Sequence, residues 1–410
     1  KFREKEHFNK LMKNKKLAII GKGTAGSIVA SYFLPFLEGN GEIDWYYNPN
    51  LPEQAVGEGT SLEFPRFLSS HLNLNILDLH TTLDGTQKTG IRKINYKGSG
   101  DYLHHFPLGS NGIHFNANKF QKYVFETFKN RINLIPKNII SHSNIDATHI
   151  IDCSGKPKTY NDFNILDSIP VNSTFITQCF WDFPKFDYTC TIARPYGWVF
   201  LIPLQNRCSV GYLFNHKINN TEDIKLDLKD IFREYGLSPS DKTNTFNFNN
   251  YYRKENFTDR VSYNGNASFF LEPLEATSIY TIQNICNFNT ILGTFSKEEA
   301  NLKYKNDIKQ IEQMIMLHYF AGSKYDTPFW KHAYEKSLPC VEEMTKNPKF
   351  KTLLQEVYYN LQNPHKPTSN SIPNFGTWES FSFSQNLINL GILEKINNLV
   401  VKNQSTTNFL

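Results

Sequence analysis

Residues 17–20 form a short unbroken apolar run, the pattern of a strand buried on both faces of a parallel sheet. The turn GKGTAG follows, and from Thr24 onward Ile28, Val29, Tyr32 and Phe33 recur at helical spacing. Strand, turn and helix together are the setting in which Gly21, Gly23 and Gly26 act as a dinucleotide-binding fingerprint. They supply a tight turn, a close backbone approach to a pyrophosphate and a close helix contact, with Thr24 and Ala25 between them. The next strand reads EIDWYYN, and its end is where an acid would bind the adenosine ribose. That position falls near Tyr47 and Asn48, so either Asp44 or Glu42 takes over through a shifted register, or the nucleotide is held loosely. Residues 147–155, ATHIIDCSG, read as an apolar strand ending in Asp152 and leading to Gly155, where the chain returns to the nucleotide.

Between residues 172 and 215 several β-rich runs lie close together: STFITQCFWDF, YTCTIA, WVFLIPL and CSVGYLF. Their closeness predicts antiparallel pairing in a platform sheet spanning about residues 170–250. After Lys297, Leu302, Ile308, Ile311, Ile315 and Tyr319 recur at helical spacing. The last hundred residues read as mostly helical, broken by turns such as NPHKPTSNSIPNFG. The expected division is therefore a nucleotide-binding fold with its platform over residues 1–295 and a helical part over 296–410. In class this is α/β, or α+β once the antiparallel insertion is counted.

A chain of 410 residues, 40% hydrophobic and 14% aromatic, can bury a large core. No apolar run approaches the roughly 20 residues of a membrane span, and the opening KFREKEHFNKLMKNKK is charged rather than signal-like, so a cytoplasmic protein with no membrane role is expected. Cys153, Cys179, Cys190, Cys208, Cys286 and Cys340 form no CxxC pair, which points to neither a metal site nor a disulfide framework. A net charge of +5 with lysines spread along the chain is no nucleic-acid footprint. Lys1, Lys5, Lys10, Lys13, Lys15 and Lys16 read as a solvated leader.

Two segments carry the candidate chemistry: GTQKTGIRKINY with Lys88, and FLEPLEATSI with Glu275. Taken singly they are bland, since lysines are mostly exposed and an acid before Thr277 would suit a helix cap. In order along the chain stand GKGTAG, AVGEGT with Glu58, the lysine segment, GIHFNANKF, IDCSG, GWVFLIP, FLEPLEATSI and HYFAGSKYDTPFW. In this series the chain resembles the flavin-dependent halogenases of the tryptophan-halogenase type, whose fold is an FAD-binding, Rossmann-like one of the flavin-monooxygenase type. The composition also suits a virus-encoded member, such as one from a cyanophage, acting in the host cytoplasm.

The resemblance implies that reduced FAD, O2 and a halide give hypohalous acid, which is led to a separate substrate pocket. Lys88 matches the family lysine, whose ammonium can hydrogen-bond the acid and whose amine can form a haloamine. Glu275 would orient the electrophile and accept the proton of the arenium intermediate. Backbone N–H groups of Thr277 and Ser278 offer a halide site at a helix start. The family commonly carries Ser where Ala276 stands and Gly where Ser278 stands, which leaves a preference for bromide or iodide open. The usual GDAAG appears as GNASF, with Asn266 where an Asp would meet the flavin, implying weak flavin affinity. GWVFLIP keeps Trp198 and puts Phe200 in place of a second Trp, followed by Ile202 and Pro203, in the wall between flavin and substrate.

His104, His105 and Phe106 follow the lysine strand. Phe106 could stack on an aromatic substrate and one histidine could steer a polar substituent, although a solvated loop histidine is the simpler expectation. Phe329, Trp330 and Trp378 line the same pocket or pack the helical part. The expected partners are a small aromatic substrate and a separate flavin reductase, with homo-oligomerisation left open. Two other readings stand beside halogenation: an aromatic hydroxylase, and a degenerate flavin-fold protein that binds without turnover.

Overall fold

The computed structural model describes residues 15–39, 41–51, 58–107, 109–363 and 375–407. The chain divides into two compact units, one of Lys1–Thr86, Gly112–Ile165 and Asn250–Ile308, the other of Gln87–Asn111, Leu166–Asn249 and Lys309–Leu410. A single cut at residue 295 does not describe this division. The platform and the lysine hairpin group with the C-terminal helices, and the nucleotide fold is assembled from three separate stretches.

The first unit is built on a five-stranded parallel sheet in the order Val261–Tyr263, His149–Asp152, Lys16–Ile20, Glu42–Tyr47, Asn133–Pro136. Leu17, Ala18 and Ile19 are wholly buried in its central strand, as an unbroken apolar run requires there. The helix Thr24–Leu37 buries Ile28, Val29 and Phe33. Asn116 caps the helix Ala117–Phe128, accepting from the N–H groups of Asn118 and Lys119.

Neither acid of the second strand reaches its C-terminal end. Glu42 opens the strand opposite Lys16, while Ile20, next to the glycine turn, pairs with Tyr46. Asp44 is buried against the Lys16 ammonium at 3.0 Å and accepts from the Asn133 side-chain amide at 2.9 Å. The register is the ordinary one, so the shifted-register alternative fails.

On the neighbouring strand His149 is buried with Nε2 3.2 Å from the Ser262 hydroxyl. Burial, and then the positive charges of Lys15 and Arg260, push its pKa from 6.5 down to about 4. The unfolded chain therefore takes up this proton first as pH falls. The stability contributed is complete above about pH 6.5 and is lost on the way down to about 4, with a span on the order of 3 kcal/mol. Urea titrations between pH 7 and pH 4 should show this loss, and His149→Gln should flatten it.

The second unit holds a seven-stranded sheet in the order Ser238–Asn247, Ser173–Phe180, Arg207–Phe214, Gly197–Pro203, Thr189–Arg194, Gly90–Ile94, Asp101–His105. Its pairings are antiparallel except that between Gly90–Ile94 and Thr189–Arg194. The amphipathic helix Thr221–Tyr235 lays Ile224, Leu228 and Ile231 into one core with Val199, Leu201 and Val210 of the sheet. The helices Lys297–Ala321, Pro328–Met344, Pro348–Gln362, Ser380–Asn389 and Leu393–Thr407 follow. In the first of them Ile308, Ile311, Ile315 and Tyr319 are buried as their spacing predicts, but Leu302 is 61% exposed, outside the apolar stripe. Among the described residues no helix is long and apolar enough to cross a membrane.

Candidate active site

The glycine turn shows why each glycine is needed. Gly21 has φ +98°, and a Cβ there would stand 2.4 Å from the Cys153 carbonyl oxygen. A Cβ on Gly26 would lie 1.9 Å from the Gly21 oxygen, so the helix could not start so close to the strand. At Gly23 a Cβ would meet nothing within 4 Å, leaving open space in front of the first helical N–H groups. Thr24 Oγ1 accepts from the buried Gln121 amide at 3.1 Å. A Cβ on Gly265 would lie 2.5 Å from that of Ala25, and this close approach brings half-buried Asn266 beside the turn. Asp152 is also there, with its backbone oxygen accepting from the Asn264 N–H at 2.9 Å.

Both oxygens of the Asp152 carboxylate are engaged: Oδ2 lies 2.8 Å from His142 Nε2, and Oδ1 accepts from the Ser154 N–H at 2.8 Å. Burial alone would raise its pKa, but these bonds hold it below the usual carboxylate value. Asp152 thus fixes the turn that leads to Gly155, at φ +99°. Glu58 is buried and its carbonyl accepts from the Phe115 N–H at 3.0 Å; residues 55–57 of the AVGEGT segment lie outside the described residues.

Glu275 belongs to the same unit and is only 5% exposed. The N-cap of the helix Thr277–Phe288 is Ala276, held in the left-handed region at φ 53°, so Glu275 is not the N-cap residue expected of an acid at a helix start. Thr277 is buried and Ser278 half-buried in the first turn.

Lys88 lies in the second unit at the end of the strand Thr86–Lys88 and is 1% exposed, contrary to the usual habit of lysines. Its Nζ sits 5.5 Å from the Phe106 ring centroid. The Phe106 N–H donates to the Thr89 carbonyl at 3.0 Å, which fixes the ring next to the lysine. His104 meets the same ring edge-on at 5.8 Å and is 2% exposed, so it is no solvated loop residue. His105, its neighbour, is exposed on the other face of the strand, and its carbonyl accepts from Gln385. Taking an ammonium out of water costs several kcal/mol, and a cation–π contact returns at most about 2, so a buried lysine marks a place built for chemistry or recognition.

Trp198, Phe200 and Ile202 alternate with Val199 and Leu201 along the strand Gly197–Pro203, so they occupy the face away from the helix-covered core. The alternation puts Pro203 on the Val199 face, apart from the other three expected wall residues. Phe200 rests on its cross-strand partner Gly211, where a Cβ would lie 2.2 Å from the ring. Phe329, Trp330 and Trp378 are all buried, and Trp330 donates to the Arg194 carbonyl at 2.7 Å, which makes it packing of the helical part.

The model of the tryptophan halogenase family matches residues 16–133 and 138–352, more than three quarters of the chain. The chain belongs to the tryptophan halogenase family. It is 21% identical to tryptophan 7-halogenase RebH of Lentzea aerocolonigenes, over 77% of this chain and 78% of that one. Tryptophan 6-halogenase ThaL of Streptomyces albogriseolus is also 21% identical, over 79% and 80%. Among solved structures, the tryptophan 6-halogenase SttH of Streptomyces toxytricini superposes with TM-score 0.74 at 15% identity, covering 95% and 96%. The α/β fold with its parallel sheet and helical C-terminal part is thus a halogenase fold, and the protein is a flavin-dependent enzyme by family.

As a tryptophan halogenase family member the chain has residues that fit FAD: the open space at Gly23 faces a helix start, and the 152–155 and 265–267 turns converge on it. Sequence reasoning missed Gln121, His142 and Lys22 in this half, and Lys93 in the other. Lys93 is wholly buried, with Nζ 2.5 Å from Asn386 Oδ1 and 5.2 Å from the Trp378 ring. The only signal in the sequence is that Lys93 shares a strand-like run with Lys88. Gly26→Ala is expected to cost about 2–3 kcal/mol of stability and at least tenfold in flavin affinity, measured by urea unfolding and flavin fluorescence quenching.

Proposed function

We propose that this halogenase halogenates a small electron-rich aromatic compound, using Lys88 to hold the oxidised halogen and Glu275 to accept the proton that the ring gives up. The observation that carries this reading is the burial of Lys88 against Phe106 within a segment matching the family lysine. Bound reduced FAD would supply, with O2 and halide, the oxidising equivalents that turn halide into hypohalous acid. The Gly21–Gly26 turn, the 152–155 turn and Asn266 would hold it.

The chain's own groups then act in order. Lys88 donates a hydrogen bond to the hypohalous acid from a position shielded from water, where that bond is stronger than in solution. The face bearing Trp198 and Phe200 excludes bulk water and larger molecules. Glu275 takes the arene proton as aromaticity returns. Thr277 and Ser278 offer N–H groups to the halide at the helix start. Bromide and iodide oxidise more easily than chloride and should turn over faster. A separate flavin reductase supplies the electrons.

The test is omission. With reductase, oxygen and an indole, phenol or aniline, halogenated product should require halide. Oxygenated product at the same rate without halide would replace this reading by hydroxylation.

A further inference from the structure

The nucleotide turn carries a cation where an acid is the rule. Tyr47 ends the strand Glu42–Tyr47, and the Gly21 N–H donates to the Tyr46 carbonyl at 2.8 Å, so the end of this strand lies beside the glycine turn. In dinucleotide folds a carboxylate at this point takes the ribose hydroxyls, and a basic residue in its place accommodates a 2′-phosphate. Asp44 is buried on Lys16 lower in the strand, and Glu42 is at its far end. The Asn48 side chain is used locally, accepting from the Asn50 N–H at 2.9 Å. What stands there is Lys22. Its Nζ lies 5.3 Å from the Tyr47 ring centroid and 5.4 Å from that of Phe125, and these two rings meet edge-on at 5.3 Å. Among the described residues no carboxylate pairs with Lys22, which is half-buried, so its ammonium is placed by two aromatic faces and has donors to spare.

We infer that Lys22, with Tyr47 and Phe125, forms an adenosine-end subsite that selects an anionic ribose, so that the nucleotide turn accepts 2′-phosphorylated adenine dinucleotides in preference to those with a free ribose diol. The inference rests on the assignment of this turn to a dinucleotide and deepens it. Flavin adenine dinucleotide, whose ribose carries a free diol, gains little at this end, whereas a 2′-phosphate gains a charge-assisted hydrogen bond.

The experiment is equilibrium binding of two redox-inactive probes, ADP-ribose and 2′-phospho-ADP-ribose, each by displacement of FAD followed through flavin fluorescence. The wild-type protein should bind the phosphorylated probe about tenfold more tightly. Lys22→Met should bring the two within a factor of about two, and Lys22→Glu should reverse the order, with FAD quenching and circular dichroism confirming that both variants are folded. A wild-type preference for the free diol, or a ratio unchanged in Lys22→Glu while FAD still binds, overturns this inference alone. Failure of FAD to bind the wild-type protein overturns the flavin assignment and this inference with it.

Discussion

Replacing Lys88 by alanine is expected to lower halogenated product by at least about 100-fold while reduced flavin continues to be oxidised. A side chain 1% exposed, resting on Phe106 at 5.5 Å, is shielded from water, and no solvent group can stand in for its amine. Because alanine leaves a void, Lys88→Met is the packing control and should be equally inactive with nearly wild-type stability. Lys88→Arg keeps a positive charge but has no amine that deprotonates, so its inactivity would separate the amine from simple charge. Peroxide should accumulate in all three variants as the oxidant goes unused. The paired measurement is product by mass spectrometry against flavin oxidation by absorbance.

The second large effect is expected at Glu275. Glu275→Gln keeps the volume of a carboxylate that is 5% exposed but removes its basicity, and product formation should fall by about 100- to 1,000-fold. Flavin affinity should change less than threefold, since the glycine turn and the 265–267 turn are untouched. A substrate deuterated at the halogenated carbon should show a larger isotope effect in the variant, because proton loss becomes slower. An unchanged rate in Glu275→Gln would remove the base from this account.

Much of the nucleotide half was legible in the sequence because its signals are local. An apolar run, three glycines and a helical period specify the strand, turn and helix, and the contacts of Gly21 and Gly26 follow from them. The platform was legible for the same reason, as closely spaced β-rich runs. What escaped depended on long-range placement. Lys88 reads as a surface residue until the hairpin closes Phe106 over it, and His104 reads as solvated until the pairing of Ile91 with His104 buries it. Asp44 seemed free to serve a ribose, but Lys16 and Asn133, distant or opposite in the sheet, had already claimed it. Pro203 fell off the expected wall because strand alternation, rather than nearness in the motif GWVFLIP, decides which face a residue occupies.

Halogenation by way of Lys88 is tested most directly by mass spectrometry of a panel of indoles, phenols and anilines. Wild-type protein and Lys88→Ala are incubated side by side with flavin reductase, oxygen, catalase and each halide in turn. The account predicts products heavier by one halogen in place of hydrogen with the wild type, and none with the variant although flavin is oxidised in both. Halogenated product surviving in Lys88→Ala, or oxygenated product of equal yield in both, would contradict it.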